Sequence, residues 1–136
     1  MPTRRNSASR VTAWLDGLAV EDIAAVLRHE AEHIVQFTAD PDLRQVYNNF
    51  VALISGRDDS GEFYQRIPAE ADANAAAAIY LRNRFTPERI LELAAGDSPG
   101  ETIFRTPPIP PNMSTLADRM DETLETWTAL FRSPPG

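Results

Sequence analysis

The sequence predicts a mainly α single domain with at most a short β-hairpin near its N-terminus. Three observations carry that prediction. Apolar residues recur in steps of three and four through long stretches of the chain, Asp-Pro and Thr-Pro pairs punctuate those stretches as helix starts do, and one stretch, AEADANAAAAIYLRNRF, is dense in alanine. The length of 136 residues gives room for one domain with a modest core and too little for two.

The elements follow in order. Residues 1–10, MPTRRNSASR, hold too little apolar surface to offset their ordering entropy and are expected to form a disordered tail ahead of a domain over 11–133. In VTAWLDGLAV, Asp16-Gly17 could turn a hairpin, although Ala13 and Leu15 fit a helix almost as well. From Glu21, whose acid suits a helix N-terminus, Ile23, Val26, Leu27, Ile34 and Phe37 mark one face of a first helix running to about Thr38. Asp40-Pro41 reads as N-cap and first position of a second helix, through Leu43, Val46, Tyr47, Phe50, Val51 and Ile54 to a stop at Gly56. RDDSGEFYQR reads as a polar loop, and Pro68 then opens the alanine-rich third helix, whose thin side lets another helix approach closely. Thr86-Pro87 starts a short fourth helix that ends at Gly96. The prolines at 99, 107, 108, 110 and 111 predict an extended strap over 97–112. Met113, Leu116, Met120, Leu124, Trp127 and Leu130 predict an amphipathic last helix over 113–132. Such a stripe is most often core; it could also be the seam of a homodimer or take a partner chain.

Composition narrows the chemistry. Thirteen basic residues, all Arg, against 20 acidic ones give a net charge of −7, which disfavours nucleic acid and anionic membranes as partners. Without lysine there is no Schiff base and no phosphate-loop cation, and without cysteine no thiolate ligand, disulfide or cysteine nucleophile. No apolar run suits a signal peptide or a spanning helix, so a cytoplasmic protein is expected.

The two histidines, His29 and His33, stand four apart in the string RHEAEH on the first helix. Side chains at i and i+4 share one face, so both imidazoles can reach a single Zn²⁺ ion. Glu30, directly after the first His as in HExxH, sits where it can take a proton from the attacking water. Glu32 lies four residues after Arg28 and reads as its ion-pair partner on the solvent side. A catalytic zinc needs a third protein ligand, and with no other His and no Cys it must be a carboxylate. Glu70, one turn into the third helix, is the choice among several acids, and the first and third helices would then pack side by side around the ion. Asn74, four residues on, could accept a hydrogen bond from the outer nitrogen of a zinc-bound His. Asp72 is a further candidate for that outer position, although a first-turn acid favoured by the helix dipole is its simpler reading. Tyr47, Tyr64 and Arg66 are candidate oxyanion donors that the sequence does not rank.

HExxH on one helix followed by an E-x-x-A-N string opening an alanine-rich helix resembles the gluzincin metallopeptidases, and most nearly the ImmA/IrrE type. The resemblance covers His29 to Phe37 and Glu70 to Leu81; Glu32 stands where many such enzymes have Gly, and Ala76 where the second string usually has Phe. It implies a small zincin-like domain with His29, His33 and Glu70 binding one zinc, Glu30 as general base, and a protein or peptide substrate cut by amide hydrolysis. The alternative from another class is a noncatalytic zinc-binding interaction domain with the same core.

Overall fold

Among residues 18–96, 99–106 and 115–132, which the computed structural model describes, regular structure is entirely helical. The first helix, α1 (Val20–Ala39), opens on Glu21 and Asp22, which suit the positive end of the helix dipole, and closes where the Asp40 N–H bonds back to the Gln36 carbonyl. A second helix, α2 (Asp42–Ile54), follows with no side-chain cap. The expected Asp40 cap is thus displaced: Asp40 terminates α1, and Pro41 precedes the first helical residue. Gly56, at φ +77°, ends the region as expected.

The stretch read as a polar loop contains one short helix, α3 (Glu62–Arg66). Asp58 explains it, because its carboxylate accepts the backbone N–H groups of Phe63 (2.9 Å) and Tyr64 (3.0 Å), which a first helical turn leaves unpaired. Pro68 then starts α4 (Pro68–Arg82), and Thr86 caps α5 (Pro87–Ala94) by accepting the Arg89 N–H at 3.3 Å. The strap also holds a helix, α6 (Glu101–Arg105). Residues 100–106 contain no proline, so one turn forms there and buries Ile103 and Phe104. The last helix is α7 (Leu116–Arg132). The expectations for the tail, the Asp16-Gly17 hairpin, the 107–112 prolines and Met113 fall outside the described residues.

Two apolar cores flank the middle of α1. Ala25, Ala77, Ala78, Leu81, Ile90, Leu93, Ile103 and Phe104 form one, in which the alanines of α4 let α1 approach closely. Leu43, Phe50, Ile54, Ile67, Ala69 and Met120 form the other, with Trp127 edge-on to Phe50 (5.2 Å) and Phe63 (5.3 Å). Of the α7 stripe, Met120 is buried in this core and Leu116, Leu124 and Trp127 pack against it, while Leu130 is exposed. Ala25 and Ala77 share one core while Gln36 bonds to the Ala69 carbonyl, so α1 and α4 run antiparallel. His29, His33 and Glu70 lie between the two cores along this pair. No helix among the described residues is long and apolar enough to cross a membrane.

Candidate metal centre

The i, i+4 spacing on α1 brings His29 and His33 over one residue of α4. His29 Nε2 lies 3.0 Å from Glu70 Oε1, His33 Nε2 lies 2.9 Å from Glu70 Oε2, and the two Nε2 atoms are 3.1 Å apart. Glu70 is buried, 1% exposed. A carboxylate removed from water in this way requires compensating partners.

The neighbours fix which nitrogen faces the site. Gln36 donates through Nε2 to the Ala69 carbonyl at 3.0 Å, so its Oε1, 2.9 Å from His33 Nδ1, must accept. His33 therefore carries a proton on Nδ1 and presents Nε2 to Glu70. Neutral His33 would set a lone pair against a carboxylate oxygen, so the contact calls for a cation, either a second proton or a metal. Tyr47 donates to Glu70 Oε2 at 2.6 Å and lies 2.9 Å from the Tyr64 hydroxyl. With Tyr47's single proton on Glu70, Tyr64 is the donor of that second contact.

The protonation equilibria express the same crowding. Burial pushes the Glu70 carboxyl up, but hydrogen bonds from His29, His33 and Tyr47 outweigh it and hold the group well below the usual carboxylate range. The hydrogen bond with Glu70 raises His33, against burial and with help from Gln36. Tyr47 is raised by burial first and by its bond to Glu70 second, and Tyr64 is raised chiefly by burial.

These residues fit a metal ion. Their ligand atoms all lie within 4.8 Å of one another. Two imidazole nitrogens and a carboxylate are a donor set suited to zinc, and ligands held tetrahedrally at about 2.0–2.2 Å from one ion lie about 3.3–3.6 Å apart, so a small outward shift of these groups would admit it. The His29 Nδ1, buried and without a hydrogen-bond partner, leaves that ring less firmly set than His33.

The remaining candidates divide. Glu30 is exposed and lines the same cleft as His33, Tyr47, Tyr64 and Glu70. Asn74 is buried, lines a cleft with His29 and donates through Nδ2 to Gln65 Oε1 at 3.0 Å; its expected bond from a histidine is not made, because His29 Nδ1 has no hydrogen-bond partner and His33 Nδ1 meets Gln36. Asp72 takes a two-pronged bond from Arg119 at 2.9 and 2.7 Å that ties α4 to α7, and it does not reach the histidines' outer nitrogens. Arg66 pairs with Glu62 on the surface, four residues back along the chain. Glu32 pairs with Arg28 at 2.8 Å, as its spacing predicts. Gln36, which sequence reasoning missed, orients His33; the available signal was a glutamine three residues after it, on the same helical face. Comparisons of the chain with protein-family models, with curated proteins and with solved structures find no match.

Proposed function

We propose that the chain is a zinc-dependent metallopeptidase of gluzincin type, with His29, His33 and Glu70 as ligands and Glu30 as general base. The observation that carries this reading is the convergence of both Nε2 atoms on the buried Glu70 carboxylate, with Glu30 beside them in one cleft. The resemblance to the ImmA/IrrE type supports it. Bound there, zinc supplies Lewis acidity and makes water acidic enough to ionise near neutral pH.

The chain's own residues do the rest. Glu30 receives the proton of the attacking water and passes it to the leaving amine. Gln36 keeps the His33 ring in the tautomer that turns Nε2 inward. Tyr64 is the best placed of the three oxyanion candidates, since it lines the cleft, the Tyr47 proton is committed to Glu70 at 2.6 Å and Arg66 is paired elsewhere.

The test is metal content and cleavage together. Protein purified without added metal is expected to carry one equivalent of zinc, and Glu70→Ala to lose it. Glu30→Gln is expected to keep the zinc while chelator-sensitive peptide cleavage falls by about 10²–10⁴. Full cleavage by Glu30→Gln would overturn the role of Glu30, and metal-free protein would overturn the site. A second reading, a noncatalytic zinc-binding interaction domain, draws on Val20 (64% exposed), Leu27 (64%) and Ile34 (69%), which stand seven residues apart along α1. One equivalent of zinc with no cleavage of a mixed peptide library would favour it.

A further inference from the structure

Two clefts meet at the site. The larger, about 630 Å³, is lined by Glu30, Tyr64 and Glu70 and extends over Ile34, Phe37 and Arg44. The smaller, about 240 Å³, shares the first three residues and extends past Asn74 and Thr102. A groove that leaves the candidate centre in two directions suits an extended chain running through it.

The larger arm has its own chemistry. Ile34 is 69% exposed there, an apolar side chain left in water beside a polar centre. The Phe37 ring stacks on His33 at 5.7 Å, and the Arg44 guanidinium lies 5.0 Å over Phe37. Among the described residues Arg28, Arg66, Arg89, Arg105 and Arg119 each face a carboxylate, while Arg57 and Arg82 bond to backbone carbonyls and Arg84 lies over Tyr80. The Arg44 guanidinium has no carboxylate partner among the described residues and lies over the Phe37 ring, which steadies the planar cation and leaves its N–H fork available. The distances of 5.7 and 5.0 Å place it no more than about 11 Å from the His33 ring, a span that an extended peptide covers in about three residues or fewer.

We infer that Arg44 is a specificity residue that pairs with a carboxylate of the bound peptide, within about three residues of the bond to be cut, with an apolar side chain lying on Ile34 and Phe37 between them. The inference rests on the peptidase reading for its substrate. The carboxylate can be an acidic side chain or the peptide's own C-terminus, since both offer the same two oxygens to the guanidinium.

Binding tests it without turnover. Zinc-supplemented full-length Glu30→Gln is titrated, by NMR or calorimetry, with short peptides carrying one Phe, in three forms: an internal Glu with an amidated end, Gln with a free C-terminal carboxylate, and Gln with an amidated end. At least one carboxylate form is expected to bind about three- to tenfold tighter than the uncharged form, and which one does so identifies the source. Adding Arg44→Gln is expected to abolish that preference, and Arg44→Glu to favour a Lys peptide instead. Equal binding of all three forms, no binding of any, or a preference that survives Arg44→Gln overturns the inference. An Arg44-dependent preference in a wild-type protein that cleaves nothing would overturn the peptidase reading alone, whereas cleavage without the preference would overturn this inference alone.

Discussion

Gln36 holds His33: its Oε1 accepts from Nδ1 at 2.9 Å while its Nε2 anchors on the Ala69 carbonyl at 3.0 Å, next to the carboxylate that His33 faces. One side chain thus sets both the tautomer of a candidate ligand and its registry against α4. Gln36→Leu removes the acceptor and leaves the ring free to turn. The Ala69 carbonyl sits within α4, where helical hydrogen bonding satisfies it, so the fold is expected to survive. Zinc affinity, measured by competition with a chromophoric chelator, is expected to fall about 10–100-fold. Unchanged affinity would mean that stacking on Phe37 alone fixes the ring.

Tyr47 offers a second handle. Its hydroxyl gives the buried Glu70 carboxylate a short bond of 2.6 Å from a different helix. Tyr47→Phe keeps the ring packing against His33 and Phe37 and removes only that donor. In chelator-treated protein the loss is expected to cost about 1–3 kcal/mol in urea unfolding, the range for a hydrogen bond to a charged group. With zinc present the carboxylate has a cation as partner, so the cost is expected to shrink. An equal cost with and without metal would count against Glu70 as a ligand.

Asp72 separates the centre from its surroundings. Because its carboxylate is held by Arg119, Asp72→Asn is expected to leave zinc stoichiometry at its wild-type value. The pair is partly exposed, so stability is expected to drop by no more than about 1 kcal/mol. Loss of metal in this variant would return Asp72 to the site.

What could be read in advance follows the range of the forces involved. The helix of His29 and His33 and the helix of Glu70 were legible, because i, i+4 spacing, alanine density and the Pro68 start are local signals. Thr86 capped its helix as its position predicted, and scarcity of His and Cys pointed to a carboxylate as third ligand, among which Glu70 was chosen. The helices at Glu62–Arg66 and Glu101–Arg105 were hidden, since five residues are too few to show a period and their flanks look like loop. Gln36 offered only its place three residues after His33, and Tyr47 was one of three unranked donors. Their roles depend on Ala69 and Glu70 arriving from another helix, which only the antiparallel packing of α1 on α4 decides. Asp72 and Asn74 were plausible by spacing and were claimed instead by Arg119 and Gln65, which lie outside that helix.

Acid sensitivity should arise partly at the far end of α1. Glu21 is 8% exposed and accepts from Arg89 Nε at 3.0 Å, which joins the start of α1 to α5. That hydrogen bond lowers the Glu21 carboxyl below its ordinary value of 4.5, against the opposing effect of burial. A group whose folded value is depressed stabilises the fold above its unfolded value, and the contribution disappears as pH falls through the folded value. Glu21→Gln removes this linkage without changing side-chain size. At pH 7 the wild type is therefore expected to melt above the variant. Between pH 4.5 and the lower folded value the two melting curves should converge, because protonated glutamate and glutamine then present similar neutral groups to Arg89. Thermal melts of both proteins from pH 7 to pH 3 measure the gap directly. A gap that stays constant over that range would show that Glu21 stabilises the helix junction by packing, with its charge contributing nothing.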